Sequence, residues 1–201
     1  MARPQTSPPR PDAPEQLLER YVAGDAEAFG ELVGLYEEKL FAFIARMTGD
    51  AHLAEDVFQQ TFIKVAQKAD VFDGRASFST WLYRIARNAA LDELRKRSRE
   101  ARPVDPDWGG LETVADDGAV SPLDLLAIEE TAERVREALS RLPVAQRETF
   151  LLKEEGNLGF AEIGEVLGCG RETAKSRFRL AVARIREHLG LERDGGKGGT
   201  T

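Results

Sequence analysis

The chain has 201 residues, 42% of them hydrophobic, enough to bury a core and compatible with one mid-sized domain or two small ones. At 31% charged residues it holds no apolar run near the ~20 residues a bilayer requires, and its start, MARPQTSPPRPDAP, lacks a signal-peptide stretch, so a cytoplasmic protein without membrane insertion is expected. The single Cys169 excludes an internal disulfide, His52 and His188 form no zinc-spaced cluster, and a net charge of −7 argues against simple unaided nucleic-acid binding, which Lys and Arg drive.

In chain order, residues 1–14 read as a disordered tail, and a first helical domain is expected over 15–102. Phe29, Leu32, Val33, Tyr36, Leu40, Phe43, Ile44 and Met47 recur at helical spacing between an N-cap candidate, Asp25, and a stop candidate, Gly49. The next helix is expected from Asp50 to about Ala69, with Ala54, Phe58, Phe62 and Val65 inward. On its other side Asp56, Gln59, Gln60 and Ile63 fall at i, i+3, i+4 and i+7, a polar face with one exposed apolar residue that fits either solvent or a protein partner. A third helix starts at Ser77 and turns Phe78, Trp81, Leu82, Ile85 and Ala89 to the core.

The stretch FDGRASFSTWLYRIARNAALDELRKR, residues 72–97, mixes aromatics with arginines. Phe78 and Trp81 read as core. The loop Phe72, Asp73, Gly74, Arg75 to Ser77, and the side of the helix expected to face outward, Tyr83, Arg84 and Arg87, combine stacking surfaces with cations, a pairing that suits unpaired bases.

After Arg102 the pattern stops, and 103–121, PVDPDWGGLETVADDGAVS, reads as an acidic flexible linker. The fold is therefore expected to be all-α, two small helical domains with no strand, the second covering 122–191 before a flexible tail at 192–201. Pro122 is placed as the first helical residue, and further helices are expected near 143–155, 160–167 and 171–189. The last two, joined by a Gly-containing turn, have helix-turn-helix spacing. Ala174, Phe178, Ala181, Val182, Ile185 and Leu189 form the inner stripe, leaving Glu172, Lys175, Ser176 and Arg179 outward, types that read a groove or hold phosphate. An αα-hairpin with a solvated basic face fits the same spacing. Net sign along the chain runs basic (84–102), acidic (105–137) and basic (171–186), a layout that suggests two nucleic-acid surfaces held apart. No nucleophile with a positioned base appears, so no enzymatic activity and no cofactor are expected.

DAHLAEDVFQQTFIKV, FDGRASFSTWLYRIARNAALDELRKR, LSRLPVAQRETFLLKEEGNLGFAEIGEVLG and TAKSR, in that order, resemble a bacterial RNA polymerase sigma factor of the extracytoplasmic-function (ECF) group. The resemblance spans nearly residues 15–190. It implies a region 2-like domain and a region 4-like domain that direct core polymerase to promoters and help melt them. Asp56, Gln59, Gln60 and Ile63 would dock on the polymerase clamp, in the β′ subunit, with the second domain on the β flap. Phe72, Asp73, Gly74, Arg75, Ser77, Tyr83, Arg84 and Arg87 would take the single-stranded −10 element. Arg171, Lys175, Ser176, Arg177 and Arg179 would read the −35 element of duplex promoter DNA. An anti-sigma factor is a family expectation for which the sequence carries no motif. The chain departs from the family pattern at Gly170, where a Ser cap is common, and at Leu180 and Val182, where Arg is frequent. The alternative is a stand-alone helix-turn-helix regulator with an N-terminal partner-binding domain.

Overall fold

A computed structural model describes residues 12–100 and 122–191. The expected linker, most of the N-terminal tail and the C-terminal tail lie outside the described residues. Among those described, the chain forms α-helices, one 3-10 turn and no strand.

The first helix, α1 (Pro14–Val22), was not foreseen as an element; Pro14 opens it and Leu17 and Leu18 seat it in the core. α2 (Ala26–Thr48) begins where Asp25 accepts from the Glu27 and Ala28 N–H groups at 3.1 and 3.4 Å, as its cap reading requires. Arg20 also holds the Asp25 carboxylate, which keeps its pKa below the ordinary aspartate value. α2 stops at Gly49, in the left-handed conformation with φ 70°. The very next residue, Asp50, caps α3 (Ala51–Gln67) by accepting from Leu53 N–H at 2.9 Å. The helices of this hairpin bury Leu32, Leu40, Phe43 and Ile44 against Leu53, Ala54, Val57 and Val65. Each of the larger side chains among them contributes about 1.5–3 kcal/mol by leaving water.

A 3-10 turn (Ala69–Val71) leads into the 72–77 loop, and α4 (Phe78–Glu100) starts on the Ser77 cap, whose Oγ accepts from Thr80 N–H at 3.2 Å. Phe78 is fully buried, while Trp81 is half-buried against it and against Phe72.

In the C-terminal half, α5 (Pro122–Ser140) leads to α6 (Val144–Glu154), α7 (Phe160–Leu167) and α8 (Arg171–His188), close to the expected bounds. Glu162 accepts from Gly159 N–H at 2.8 Å and fixes the start of α7, which ends at left-handed Gly168. The turn into α8 folds so tightly that a Cβ on Gly164 would stand 2.6 Å from the Cys169 carbonyl oxygen, so only glycine fits there. Phe178 of α8 stacks on Phe150 of α6 with centroids 5.9 Å apart, and Ala174, Ala181 and Ile185 complete the buried stripe.

The two halves touch. α4 lies against α7 and α2 against α6, which brings the aromatic-basic helix into contact with the helix-turn-helix unit.

Candidate nucleic-acid interface

On α8, Arg171, Lys175 and Arg179 are exposed and form no ion pair among the described residues, while Ser176 is half-buried. They lie across the helix from Ala174, Ala181 and Ile185, so packing against α6 and α7 aims them at solvent. Arg177 is different: half-buried, its Nη1 lies 3.6 Å from the Cys169 Sγ and braces the turn. Cys169 is half-buried.

On α3, Asp56, Gln59 and Ile63 are exposed and Gln60 is half-buried. Ile63 keeps 56% of its surface in water, the apolar member of this otherwise polar set.

The 72–77 loop is open at its tip. Asp73, Gly74, Arg75 and Ser77 are exposed, and Gly74 sits at φ 68°, a conformation that L side chains rarely adopt. Asp73 bends back to its own chain, accepting from Arg75 N–H at 3.1 Å. Phe72 is half-buried, its ring 5.0 Å from that of Trp81. Behind the loop a cavity of about 410 Å³ opens between α1 and residues 69–74, edged by Glu15, Glu19, Asp70 and Asp73.

The expectation for the outer side of α4 needs correcting. Arg84 is exposed as expected, but Tyr83 is only 1% exposed and Arg87 is largely covered. The single-stripe reading failed because α4 is central: one face meets α2 and α3, and a second meets the other domain. Thr80, Tyr83 and Arg87, at i, i+3 and i+7, form that second stripe. Tyr83 packs edge-on to Phe43 with centroids 5.1 Å apart and donates its hydroxyl to the Glu155 carbonyl at 3.1 Å. Burial pushes its pKa well above the ordinary tyrosine value. Arg87 meets Glu148 of α6, with side chains 20% and 5% exposed. Glu162 Oε1 accepts from Ser77 Oγ at 2.7 Å and Thr80 Oγ1 at 3.0 Å. Burial raises the Glu162 pKa, but these bonds, the Gly159 N–H and the nearby Lys153 outweigh it and hold the carboxyl below the usual range. Arg46 of α2 pairs with Glu155.

Sequence reasoning missed Glu148, Glu155 and Glu162 altogether. Glu162 carries one readable signal, its place three residues after the cap, but that signal points only to α7. Nothing in sequence spacing pairs residues some 61 to 109 positions apart.

Among the described residues no group of His, Cys, Asp and Glu could hold a metal, and no helix is long and apolar enough to cross a membrane. What remains is a basic helix-turn-helix beside a second helical unit with an arginine-bearing loop and helix, the architecture of a two-domain promoter-reading protein. Residues 32–100 match Sigma-70 region 2 and residues 132–185 match Sigma-70, region 4. The ECF RNA polymerase sigma factor SigW of Bacillus subtilis is 34% identical over 181 residues, covering 87% of this chain and 96% of the relative. The ECF RNA polymerase sigma factor RpoE of Cereibacter sphaeroides is 36% identical over 166 residues, covering 82% and 88%. Among solved structures, the sigma factor RpoE in complex with the anti-sigma factor NepR from Bartonella quintana aligns at a TM-score of 0.65 and 30% identity, covering 84% of this chain and 100% of that one. CnrH in complex with the cytosolic domain of CnrY shares the fold, with a TM-score of 0.67 at 23% identity and coverage of 90% and 99%. The chain belongs to the ECF group of RNA polymerase sigma factors. Its function is that of the family, the initiation of transcription by RNA polymerase, and the stand-alone regulator is not favoured.

Proposed function

We propose that the three surfaces divide the work of initiation as follows. The α3 face of Asp56, Gln59, Gln60 and Ile63 docks on the β′ clamp of core polymerase, and the C-terminal domain sits on the β flap. Arg171, Lys175, Ser176, Arg177 and Arg179 engage the −35 duplex, with Lys175 and Arg179 in the groove and Arg177 also bracing the turn. Phe72, Asp73, Gly74, Arg75 and Ser77, with Arg84, take unpaired −10 bases, and Tyr83 and Arg87 join them once the contact with the other domain is released. The domain limits that go with this are 15–102 and 122–191. The observation that carries the assignment is the free, outward-facing set Arg171, Lys175 and Arg179 on a helix whose opposite side is packed.

The chain has no catalytic activity of its own in this reading and works in the cytoplasm. The anti-sigma factor bound to the Bartonella quintana relative supports an anti-sigma partner here as well. Run-off transcription tests the assignment. Core polymerase with this chain should initiate from a promoter that core alone ignores, and Lys175→Ala with Arg179→Ala should abolish −35-dependent starts without loss of core binding.

A further inference from the structure

We infer that Leu180 is a specificity-determining residue that reads the C5-methyl of a thymine in the −35 duplex, so that this chain selects promoters with an A·T pair at that place. The inference rests on the assignment of α8 to the −35 element and names what one further residue of that helix recognises.

Residues four apart line up along one side of a helix, and the outer side of α8 carries two such rows. Arg171, Lys175 and Arg179 form the first; Glu172, Ser176 and Leu180 form the second, and of these six only Ser176 is half-buried. Leu180 keeps 50% of its surface in water and stands outside the core cluster of the described residues, whereas the next residue, Ala181, is fully buried in it. At 3.6 residues per turn, Arg179 and Leu180 stand about 40° and 60° to either side of the line opposite the stripe of Ala174, Ala181 and Ile185. The leucine is therefore turned outward by its place on the helix, next to the cation proposed for the groove. Ala183, three residues on, is exposed as well and extends the apolar spot. The arginines a turn away on either side are committed to the protein, Arg177 at Cys169 and Arg184 donating to Gln146 of α6 at 2.9 Å.

The thymine C5-methyl is the one apolar group among the hydrogen-bonding edges of the major groove, and an apolar side chain reads it by contact. Leucine neither donates nor accepts, so against a G·C pair it would cover the cytosine amino group or the guanine acceptors and leave them without a partner, at a cost. Selection thus has two sources, burial of the methyl and rejection of polar edges. A helix ~10–12 Å in diameter fills a groove ~12 Å wide, so side chains on both flanks of its outermost line reach base edges together. Four residues rise about 6 Å, close to two base-pair steps of ~3.4 Å, which places the thymine within two pairs of the base that Ser176 faces. A duplex meets both demands of this surface, acceptors for the cationic row and a methyl for the leucine. Because Arg is frequent at this place in the family, the leucine exchanges a cation's contacts for an apolar one and gives the chain a promoter preference of its own.

Holoenzyme carrying the full chain, titrated on a promoter that it transcribes, tests this when the thymines of the −35 element are changed one at a time to deoxyuridine, which keeps the base pair and removes only the methyl. At one position the change should weaken binding about fourfold, the worth of one buried methyl group. Leu180→Ala should lose a similar factor on the thymine promoter and nothing further on the deoxyuridine one. Exchanging that A·T pair for G·C should weaken wild-type binding more, and 5-methylcytosine in place of the new cytosine should recover about the fourfold contribution of the methyl. The side chain is exposed, so Leu180→Ala should melt as wild type does. Equal deoxyuridine losses in wild type and Leu180→Ala at every −35 thymine would overturn the inference. So would weaker binding of Leu180→Ala to core polymerase without DNA, which would make Leu180 a protein contact. If Lys175→Ala with Arg179→Ala left −35-dependent binding unchanged, the −35 assignment beneath it would fail instead.

Discussion

Arg87 and Glu148 are joined side-on by two parallel hydrogen bonds, at 3.0 and 3.1 Å, across the boundary between the two domains of one chain. A pair this buried within a single domain would cost about 3–5 kcal/mol on losing one partner, because the other charge is stranded. Between domains the stranded charge has an exit, since separation returns it to water. Glu148→Ala should therefore shift the unfolding midpoint of each domain by much less than that figure implies. Scanning calorimetry of the full chain checks this; a loss of the full 3–5 kcal/mol would mean the domains do not separate.

The carboxyl of Glu162 gives the closed form a pH dependence of known sign. Its pKa is held below its ordinary value of 4.5, so its stabilising contribution is complete above that value and disappears as pH falls through the lowered one. Lys153 of α6 adds to the effect, and Glu15 is the other carboxylate at the start of α4. Scattering between pH 6 and 3.5 should show the chain expanding below about pH 4.5, with a shallower transition in Glu162→Gln, which keeps the α7 cap but cannot titrate. Identical profiles would remove Glu162 from the contact.

Gly164, within α7, lets the backbone of the turn at Cys169 pass close against the helix. Gly164→Ala sets a methyl 2.6 Å from the Cys169 carbonyl, and the backbone there cannot swing aside as a long side chain would. A loss of about 1–3 kcal/mol is expected in the C-terminal domain alone, with −35 binding falling in step, while the N-terminal domain melts as before. Thermal unfolding followed separately in each domain measures it.

Exposed residues should behave otherwise. Asp56→Ala with Gln60→Ala should leave the melting temperature within the small range of surface substitutions and weaken core polymerase binding. Ile63→Asp should do the same more strongly, since it puts charge into the one apolar spot of that face. Unchanged affinity in a core-binding titration would refute α3 as the docking face.

For Lys175 and Arg179 the effects should separate by kind. Loss of a groove-reading contact costs ~1–3 kcal/mol and relaxes sequence preference, whereas loss of a phosphate contact weakens all sequences alike and lowers the salt slope by about one. Titrations of holoenzyme on promoters altered in the −35 element, at two salt concentrations, assign each residue.

Much of the fold was legible because it is local. Asp25 and Asp50 cap the helices they were expected to cap, Gly49 stops the one before, and α6 to α8 fall near their expected limits. Leu17 and Leu18 were missed as a helix since nine residues with one short apolar pair give too little periodicity to read. Tyr83 and Arg87 were placed outward by a rule true of a helix with one neighbour; α4 has neighbours on two sides, and burial of the second depends on residues far along the chain. The exposure of Asp56, Gln59 and Ile63 on α3 and of Arg171, Lys175 and Arg179 on α8 was readable because each stands away from a single packed stripe, whereas Arg177 turns back to Cys169.

Gly49 ends one helix and Asp50 begins the next, with no spare residue at the corner. The α3 face proposed for polymerase and Arg46, which grips Glu155 of the other domain from the last turn of α2, thus stand on either side of a hinge without play. With Gly49 and Asp50 each committed to a cap, the corner fixes the angle between the helix that carries Arg46 and the helix that carries the docking face.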